Sequence, residues 1–365
     1  MARQKAVYEK VEIIYNGGIV GMKNQKSAMI SGITGQDGGY LAKFLIEKGY
    51  KVYGLFRRGA TETFSKLKEH GILDKIELLD FDLLEFSNIC RLLRKYQPEE
   101  FYNLAAQSFV GASWEEPIYT AQADGMGVLY ILEAIREFSP KTKLYQASTS
   151  EMFGKVQEIP QSEKTPFYPR SPYGVAKLMA HWMCVNYRES FNIFACSGIL
   201  FNHESPMRGK EFVTRKITDH FASIVCGLTN KPVELGNLDS KRDWGFAGDY
   251  VEMMWLMLQQ DESDTYVAAT GETHSIREFV EEAGKVCGFD IEWHGKNEDE
   301  IGIDRNTKKT VVKVNPVFYR PAEVEILLGN PEKAQKKLGW KPKVDFKGLC
   351  EMMMKADIAR KQKET

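Results

Sequence analysis

The stretch AMISGITGQDGGYLAKFLIEKGYKVYGLFRR, residues 28–58, reads as one βαβ unit. A short apolar run from Ala28 to Ser31 gives way to the turn Gly32, Ile33, Thr34, Gly35, Gln36, Asp37, Gly38. An amphipathic helix through Leu41, Phe44 and Leu45 follows, and a second apolar run closes the unit at Lys51 to Phe56. Glycines placed here let the backbone turn tightly and approach a pyrophosphate at the positive end of the helix. A glycine trio elsewhere would be an ordinary turn; between strand and helix it implies a dinucleotide site. The second strand selects the dinucleotide, because an NAD site sets a carboxylate about 20 residues past the turn for the ribose 2′-hydroxyl. Here the strand ends in Arg57 and Arg58, whose guanidinium groups suit a 2′-phosphate and favour NADP.

The alternation continues downstream. Strands are expected at 75–79, 100–105 and 143–148, with helices at 85–96 and 127–137. This is the pattern of an α/β fold with a doubly wound parallel sheet. Asp82 and Leu83 follow the third strand, where an Asp suits the adenine amino group. Leu104, Ala105, Ala106, Gln107 and Ser108 follow the fourth, where small side chains leave room for ribose and nicotinamide. After a strand-like run at 192–201, Pro206, Gly209, Pro232 and Gly236 break the chain into short elements that begin a smaller C-terminal α/β lobe. A helix-like run at 249–259 and the strand-like TYVAAT indicate a return to the first lobe. The expected division is an N-terminal extension at 1–22, a dinucleotide lobe at 23–203 and 247–269, and a substrate lobe at 204–246 and 270–365.

Bulk composition narrows the function class. Among 365 residues, Lys+Arg 49 nearly balances Asp+Glu 50, so no nucleic-acid or membrane partner is expected. No apolar run approaches the roughly 18 residues of a membrane span. The six cysteines lie far apart, without a CxxC pair, which fits reduced thiols in a cytoplasmic protein and offers no metal site.

Two further motifs carry chemistry. Tyr173 and Lys177 in SPYGVAK stand four residues apart behind a Pro suited to a first helical turn, so both project from one helix face. An ammonium near a phenol favours phenolate, lowering its pKa from about 10 and making Tyr173 a base. Upstream, Thr149 and Glu151 in STSEMFG would alternate on an extended chain and address the same substrate. Oxidation at an alcohol carbon needs one base; elimination needs a second, and Glu151 supplies it.

The motifs GITGQDG, NLAAQS, STSE, SPYGVAK, LFNHESP, FVTRKIT, RDWG and RPAEVE, in this order, resemble the GDP-mannose 4,6-dehydratase family from about Met29 to Pro342. The resemblance implies an NADP-dependent lyase that converts GDP-mannose to GDP-4-keto-6-deoxymannose. It implies that Tyr173, assisted by Lys177 and Thr149, takes the 4-hydroxyl proton and that Glu151 takes the C5 proton. Carried over residue by residue, the cofactor meets Gly32 to Asp37, Arg57, Asp82, Leu83, Leu104 to Ser108, Tyr119, Tyr173, Lys177, His203 and Arg208. The GDP-sugar meets Asn202, Val213, Lys216, Arg242, Arg320 and Glu323. His203 fits a positioning group better than a base, since no nucleophile accompanies it.

The pattern departs at Gly39, Phe109 and Val128, where the family often has Ser, His and Thr. GATETFSKLKEHG at 59–71 replaces a Ser-rich stretch, and Met207 replaces an arginine. In the family those last two places help bind cofactor across a subunit contact and build a tetramer, so a homodimer is the expected assembly here and a homotetramer the alternative. Phe109 also leaves open a related GDP-sugar such as GDP-manno-heptose. A sugar-nucleotide epimerase or 4-keto reductase would share the turn and the Tyr–Lys pair but has no use for Glu151, and an idle NADP-binding scaffold would leave all four groups unused.

Overall fold

The computed structural model describes residues 25–59, 64–318 and 326–364. The N-terminal extension, Arg320 and Glu323 therefore lie outside the described residues.

A seven-stranded sheet organises the larger lobe. Its strands are β1 (Ser27–Ser31), β2 (Lys51–Phe56), β3 (Glu77–Asp80), β4 (Glu100–Asn103), β5 (Lys143–Thr149), β6 (Ala195–Leu200) and β7 (Thr265–Ala268). They lie in the order β7-β6-β5-β4-β1-β2-β3, and every pairing is parallel. The order reverses between β1 and β4, and open α/β sheets bind ligands at the carboxyl ends of such a pair. Central strands buried on both faces need near-continuous apolar or small residues, and ACSGIL in β6 is buried throughout.

Helices cover both faces. On one, α1 (Gln36–Glu47) and a later helix, Ala247–Leu258, pack Leu41, Leu45, Met254 and Met257 with Ile30 and Ile33. On the other, α2 (Phe86–Tyr96) and α3 (Gly127–Phe138) bury Ile89, Leu93, Ile131 and Leu132 with Met29, Leu55 and Phe101. α4 (Pro172–Phe191) joins this face through Ala180, Cys184 and Tyr187.

The smaller lobe packs α5 (Val213–Val225), Ile276–Val286 and Phe346–Lys361 around Phe221, Phe279 and Met353. A four-stranded sheet of Ile291–His294, Ile301–Asp304, Thr310–Val314 and Val233–Leu235 closes it. The buried Asp357 of the last helix holds Arg215 of α5 at 2.8 Å and accepts the Thr218 hydroxyl at 2.7 Å.

Several boundaries shift from expectation for local reasons. The run at 192–201 becomes strand only at Ala195, because Asn192 takes a left-handed φ of 54° and caps α4. The third strand starts at Glu77, since Leu73–Lys75 forms a 3-10 turn. The fourth stops at Asn103, where its side chain bonds Ser31.

Candidate active site

The glycine turn and the loop after β4 meet at the switch point. Gly32 has φ +70°, and a Cβ there would lie 2.9 Å from the Ala105 nitrogen, so only glycine permits this approach. Ser31 fixes it from below: its hydroxyl donates to Asn103 Oδ1 at 2.6 Å and accepts the Leu104 and Ala105 N–H groups, each at 3.1 Å. α1 then starts at Gly35 with no side-chain cap, which leaves its first N–H groups for an anion. This cradle fits a dinucleotide pyrophosphate.

Turn residues Gln36 and Asp37 grip the segment after β6. The Gln36 amide donates to the His203 carbonyl at 3.1 Å and accepts the Ser205 hydroxyl at 2.7 Å. Asp37 Oδ2 lies 2.8 Å from His203 Nε2. At the end of β2, Arg57 Nη1 donates to the Tyr119 hydroxyl at 2.7 Å, while Arg58 is exposed. Asp82 accepts the Leu84 N–H at 2.9 Å, and Leu83 packs where a Cβ on Gly127 would reach it at 3.1 Å. Gln107 donates its amide to Thr120 at 3.2 Å and accepts the Phe109 N–H at 2.8 Å; Ala106 is half-buried and Ser108 exposed.

The chemistry-bearing residues converge at the end of β5. α4 begins with Ser171 capping the Gly174 N–H at 3.0 Å and Pro172 in the first turn. Tyr173 and Lys177 then fall one turn apart, both buried. Lys177 Nζ donates to the Ala147 carbonyl at 3.1 Å and sits 5.8 Å from the Tyr173 ring centre. Thr149 stands beside Tyr173, and its Oγ1 accepts the Glu151 N–H at 3.2 Å. A Cβ on Gly174 would come within 2.8 Å of the Glu151 carbonyl, so the tyrosine's turn packs directly on the glutamate's backbone.

Two expectations are corrected here. Glu151 does not lie on extended chain; Ser150–Met152 is a 3-10 turn capped by Thr149, so Thr149 and Glu151 come together through a turn rather than by strand alternation. Nor does the Tyr173 pKa fall. Burial pushes it well up, and Asp124 and Glu151 add to this, against an opposing hydrogen bond from Thr149. Excluding water from a phenolate outweighs what the neighbouring groups return.

Asp124 is the residue that sequence reasoning missed. It sits in a π-helical turn, Ala121–Met126, a distortion frequent at functional sites. Burial pushes its carboxyl up to about 6, opposed by Lys177 and by the Gln107 N–H, which it accepts at 2.7 Å. Its other oxygen makes no hydrogen bond. Lys177 is in turn pushed down by burial and raised by Asp124. The only trace in the sequence is an acidic residue among small ones, AQADGMG, ahead of a helix.

Of the residues expected to meet the sugar nucleotide, Asn202, Val213, Lys216 and Arg242 lie among the described residues. Asn202 opens a short strand, Asn202–Glu204, paired with Trp244–Phe246, and its Oδ1 is buried without a hydrogen bond. Val213 opens α5, and Lys216 Nζ stands 3.4 Å from the Phe318 ring centre. Arg242 is buried and donates to the Lys241 carbonyl at 2.9 Å. Arg208 Nε lies 3.0 Å from the buried Glu204 carboxylate but off line for a hydrogen bond, so that contact is ionic; its guanidinium also covers the Phe212 ring at 3.6 Å. Phe212 meets Phe109 edge-on at 5.9 Å, joining the loop after β4 to the second lobe. Among the described residues, no group of three or more His, Cys, Asp or Glu is placed to hold a metal ion, and no helix is long and apolar enough to cross a membrane.

This arrangement has close relatives. A family model described as GDP-mannose 4,6 dehydratase matches residues 29–353. A GDP-mannose 4,6-dehydratase from Yersinia enterocolitica is 51% identical over 350 residues, covering 91% of this chain and 94% of the relative. One from Cricetulus griseus is 52% identical over 344 residues, covering 92% of each. Among solved structures, dTDP-glucose 4,6-dehydratase from Bacillus anthracis in complex with NAD superposes with a TM-score of 0.76 over 92% of this chain and 98% of that one; at 16% identity it shares the fold. The match spans both lobes and includes every motif that carries the site, and the chain belongs to the GDP-mannose 4,6-dehydratase family.

Proposed function

We propose that this chain is a hydro-lyase that removes one water from GDP-mannose to give GDP-4-keto-6-deoxymannose, with NADP as its internal redox partner. The observation that carries the reading is the packing of the Tyr173 turn on the Glu151 backbone, which sets two bases at one site beside a dinucleotide cradle. Burial holds Tyr173 as the phenol in the free site; the positive charge of a bound nicotinamide would favour the phenolate that takes the sugar 4-hydroxyl proton, with Thr149 beside it and Lys177 one turn along the helix. The resulting C4 carbonyl acidifies the C5 hydrogen, Glu151 takes it, and the 6-hydroxyl leaves as water. NADP⁺, when bound, supplies a positively charged acceptor that takes a hydride at C4 and returns it at C6, so the cycle needs no external reductant.

Arg57, pinned by Tyr119, supports NADP over NAD through its fit to a 2′-phosphate. The division of labour follows the lobes, with residues 23–203 and 247–269 holding the cofactor and 204–246 and 270–365 the sugar nucleotide. Exposed Val175 and Trp182 on α4 support a homodimer paired through that helix. Six free cysteines support a cytoplasmic location.

The test is incubation of the purified protein with GDP-mannose and no reductant, following nucleotide-sugar mass. Loss of one water is the expected result. Unchanged GDP-mannose would overturn the substrate, and GDP-manno-heptose would be tried next.

A further inference from the structure

Lys66 lies in the divergent 59–71 stretch and is not among the site residues named above. It sits on the short helix Ser65–Glu69, which follows β2 and folds over the start of α1. Contacts on several sides fix this helix. Leu67 is fully buried in the core, Phe64 packs edge-on against Phe56 of β2 at 5.1 Å, and Glu69 pairs with Arg360 at 2.6 Å. His70, just beyond, meets Tyr40 of α1 edge-on at 4.7 Å. A Cβ on Gly39 would come within 3.0 Å of the His70 ring, so glycine at this place in α1 admits the covering segment.

From this platform Lys66 Nζ reaches the glycine turn and donates to the Thr34 carbonyl at 3.2 Å. Of the charges around it, Arg208 pairs with Glu204, Arg215 with Asp357 and Asp37 with His203, while Glu211 acts on Lys66 itself. Among the described residues, Lys66 donates only to that neutral carbonyl. Burial pushes its pKa down, Glu211 opposes, and the nearby Arg215 and Arg208 act with burial. Glu211 and Asp37 attract this ammonium, but burial still outweighs them, so a further anion would be welcome beside it. In this fold a dinucleotide's adenosine ribose carries its 2′-substituent beside the glycine turn and the carboxyl end of β2, and Lys66 stands on the helix that follows that strand, bonded to the turn.

We infer that Lys66 is a cofactor-binding residue whose ammonium takes the 2′-phosphate of NADP from the turn side, opposite Arg57. The inference deepens the NADP assignment above and rests on it. A lysine suits this task as a mobile point charge, while Arg57 supplies the planar fork. In the free protein the Thr34 carbonyl holds the ammonium in place, so little ordering is required when the phosphate arrives.

The experiment is calorimetric titration of the full chain and of Lys66→Met and Lys66→Arg with NADP⁺ and with NAD⁺, at low and at physiological salt. The expected result for Lys66→Met is an NADP⁺ Kd raised about tenfold or more, an NAD⁺ Kd within about twofold of wild type, and a shallower salt dependence for NADP⁺. Lys66→Arg should keep most of the NADP⁺ affinity. Unchanged NAD⁺ binding doubles as the check that Lys66→Met is folded. A wild-type preference for NADP⁺ that survives Lys66→Met, or equal losses for both nucleotides, would overturn the role of Lys66 alone. Wild-type protein with no preference for NADP⁺ would overturn the cofactor assignment and this inference with it.

Discussion

His203 and Asp37, 166 residues apart, form an ion pair that ties the glycine turn to the segment leaving β6. Each imidazole nitrogen faces an acceptor: Nε2 the Asp37 carboxylate and Nδ1 the Phe201 carbonyl, both at 2.8 Å. Both nitrogens therefore donate, and the ring is an imidazolium. Burial alone would push His203 down, but the charge and hydrogen bond of Asp37 outweigh it and hold the pKa above 6.5. Burial likewise works against the Asp37 carboxylate, and His203 outweighs it, holding that pKa below 3.8. The ring is further stacked on Tyr250 at 4.8 Å.

The signs fix a pH window. A raised histidine contributes stability that is complete below 6.5 and lost as pH rises through the folded value. A depressed aspartate contributes stability that is complete above 3.8 and lost as pH falls through the folded value. The pair is thus fully effective between these limits. His203→Gln should cost about 2–3 kcal/mol near pH 6, because it leaves a half-buried carboxylate without its counter-charge. In urea titrations across pH, the variant should also lose the wild-type decline on the alkaline side; parallel pH profiles would refute the pairing.

Asp124 should behave in the opposite sense. Its carboxyl is raised from 3.8 to about 6, so the folded state holds its proton more tightly and stability falls as pH rises through that interval. Asp124→Asn keeps an acceptor for the Gln107 N–H and removes the buried charge. It should therefore gain roughly 1–2 kcal/mol at pH 7 by denaturant unfolding, with the gain shrinking towards pH 4.5. Turnover should fall, since Lys177 loses its nearest counter-charge. A variant that is both less stable and fully active would contradict this account.

Glu151→Gln should leave nucleotide and sugar binding within a few-fold of wild type and reduce water loss by on the order of 10² or more, because an amide cannot take the C5 proton. Deuterium uptake at C5 from heavy water, read by mass, reports that step directly. Wild-type exchange in the variant would assign the second base elsewhere.

Arg57→Ala should raise the NADP⁺ Kd by about tenfold or more while shifting NAD⁺ by about twofold or less. Tyr119→Phe removes only the 2.7 Å hydrogen bond that aims the guanidinium, so a smaller loss of the same selectivity is expected. Equal loss of both nucleotides would show a structural arginine.

Much of the molecule is legible along the chain. The turn at Gly32 to Gly38, the strand–helix alternation and the four-residue spacing of Tyr173 and Lys177 are local patterns, set by steric limits and helical period that neighbouring residues impose on one another. Even there, ends moved where a single residue intervened, as Asn192 did for β6.

The amino-acid sequence by itself determined which residue types stand at the end of each strand and hence the class of chemistry. Tertiary structure alone decided their electrical state. Lys177 finds Asp124, Asp37 finds His203 and Lys66 finds Thr34 only after the sheet is assembled, across gaps that no local pattern marks. The Tyr173 pKa shows why spacing is not enough: one helical turn placed a lysine nearby, but burial by the surrounding elements pushed the phenol up. Desolvation depends on everything packed around a group, and that is a property of the fold rather than of any stretch of chain.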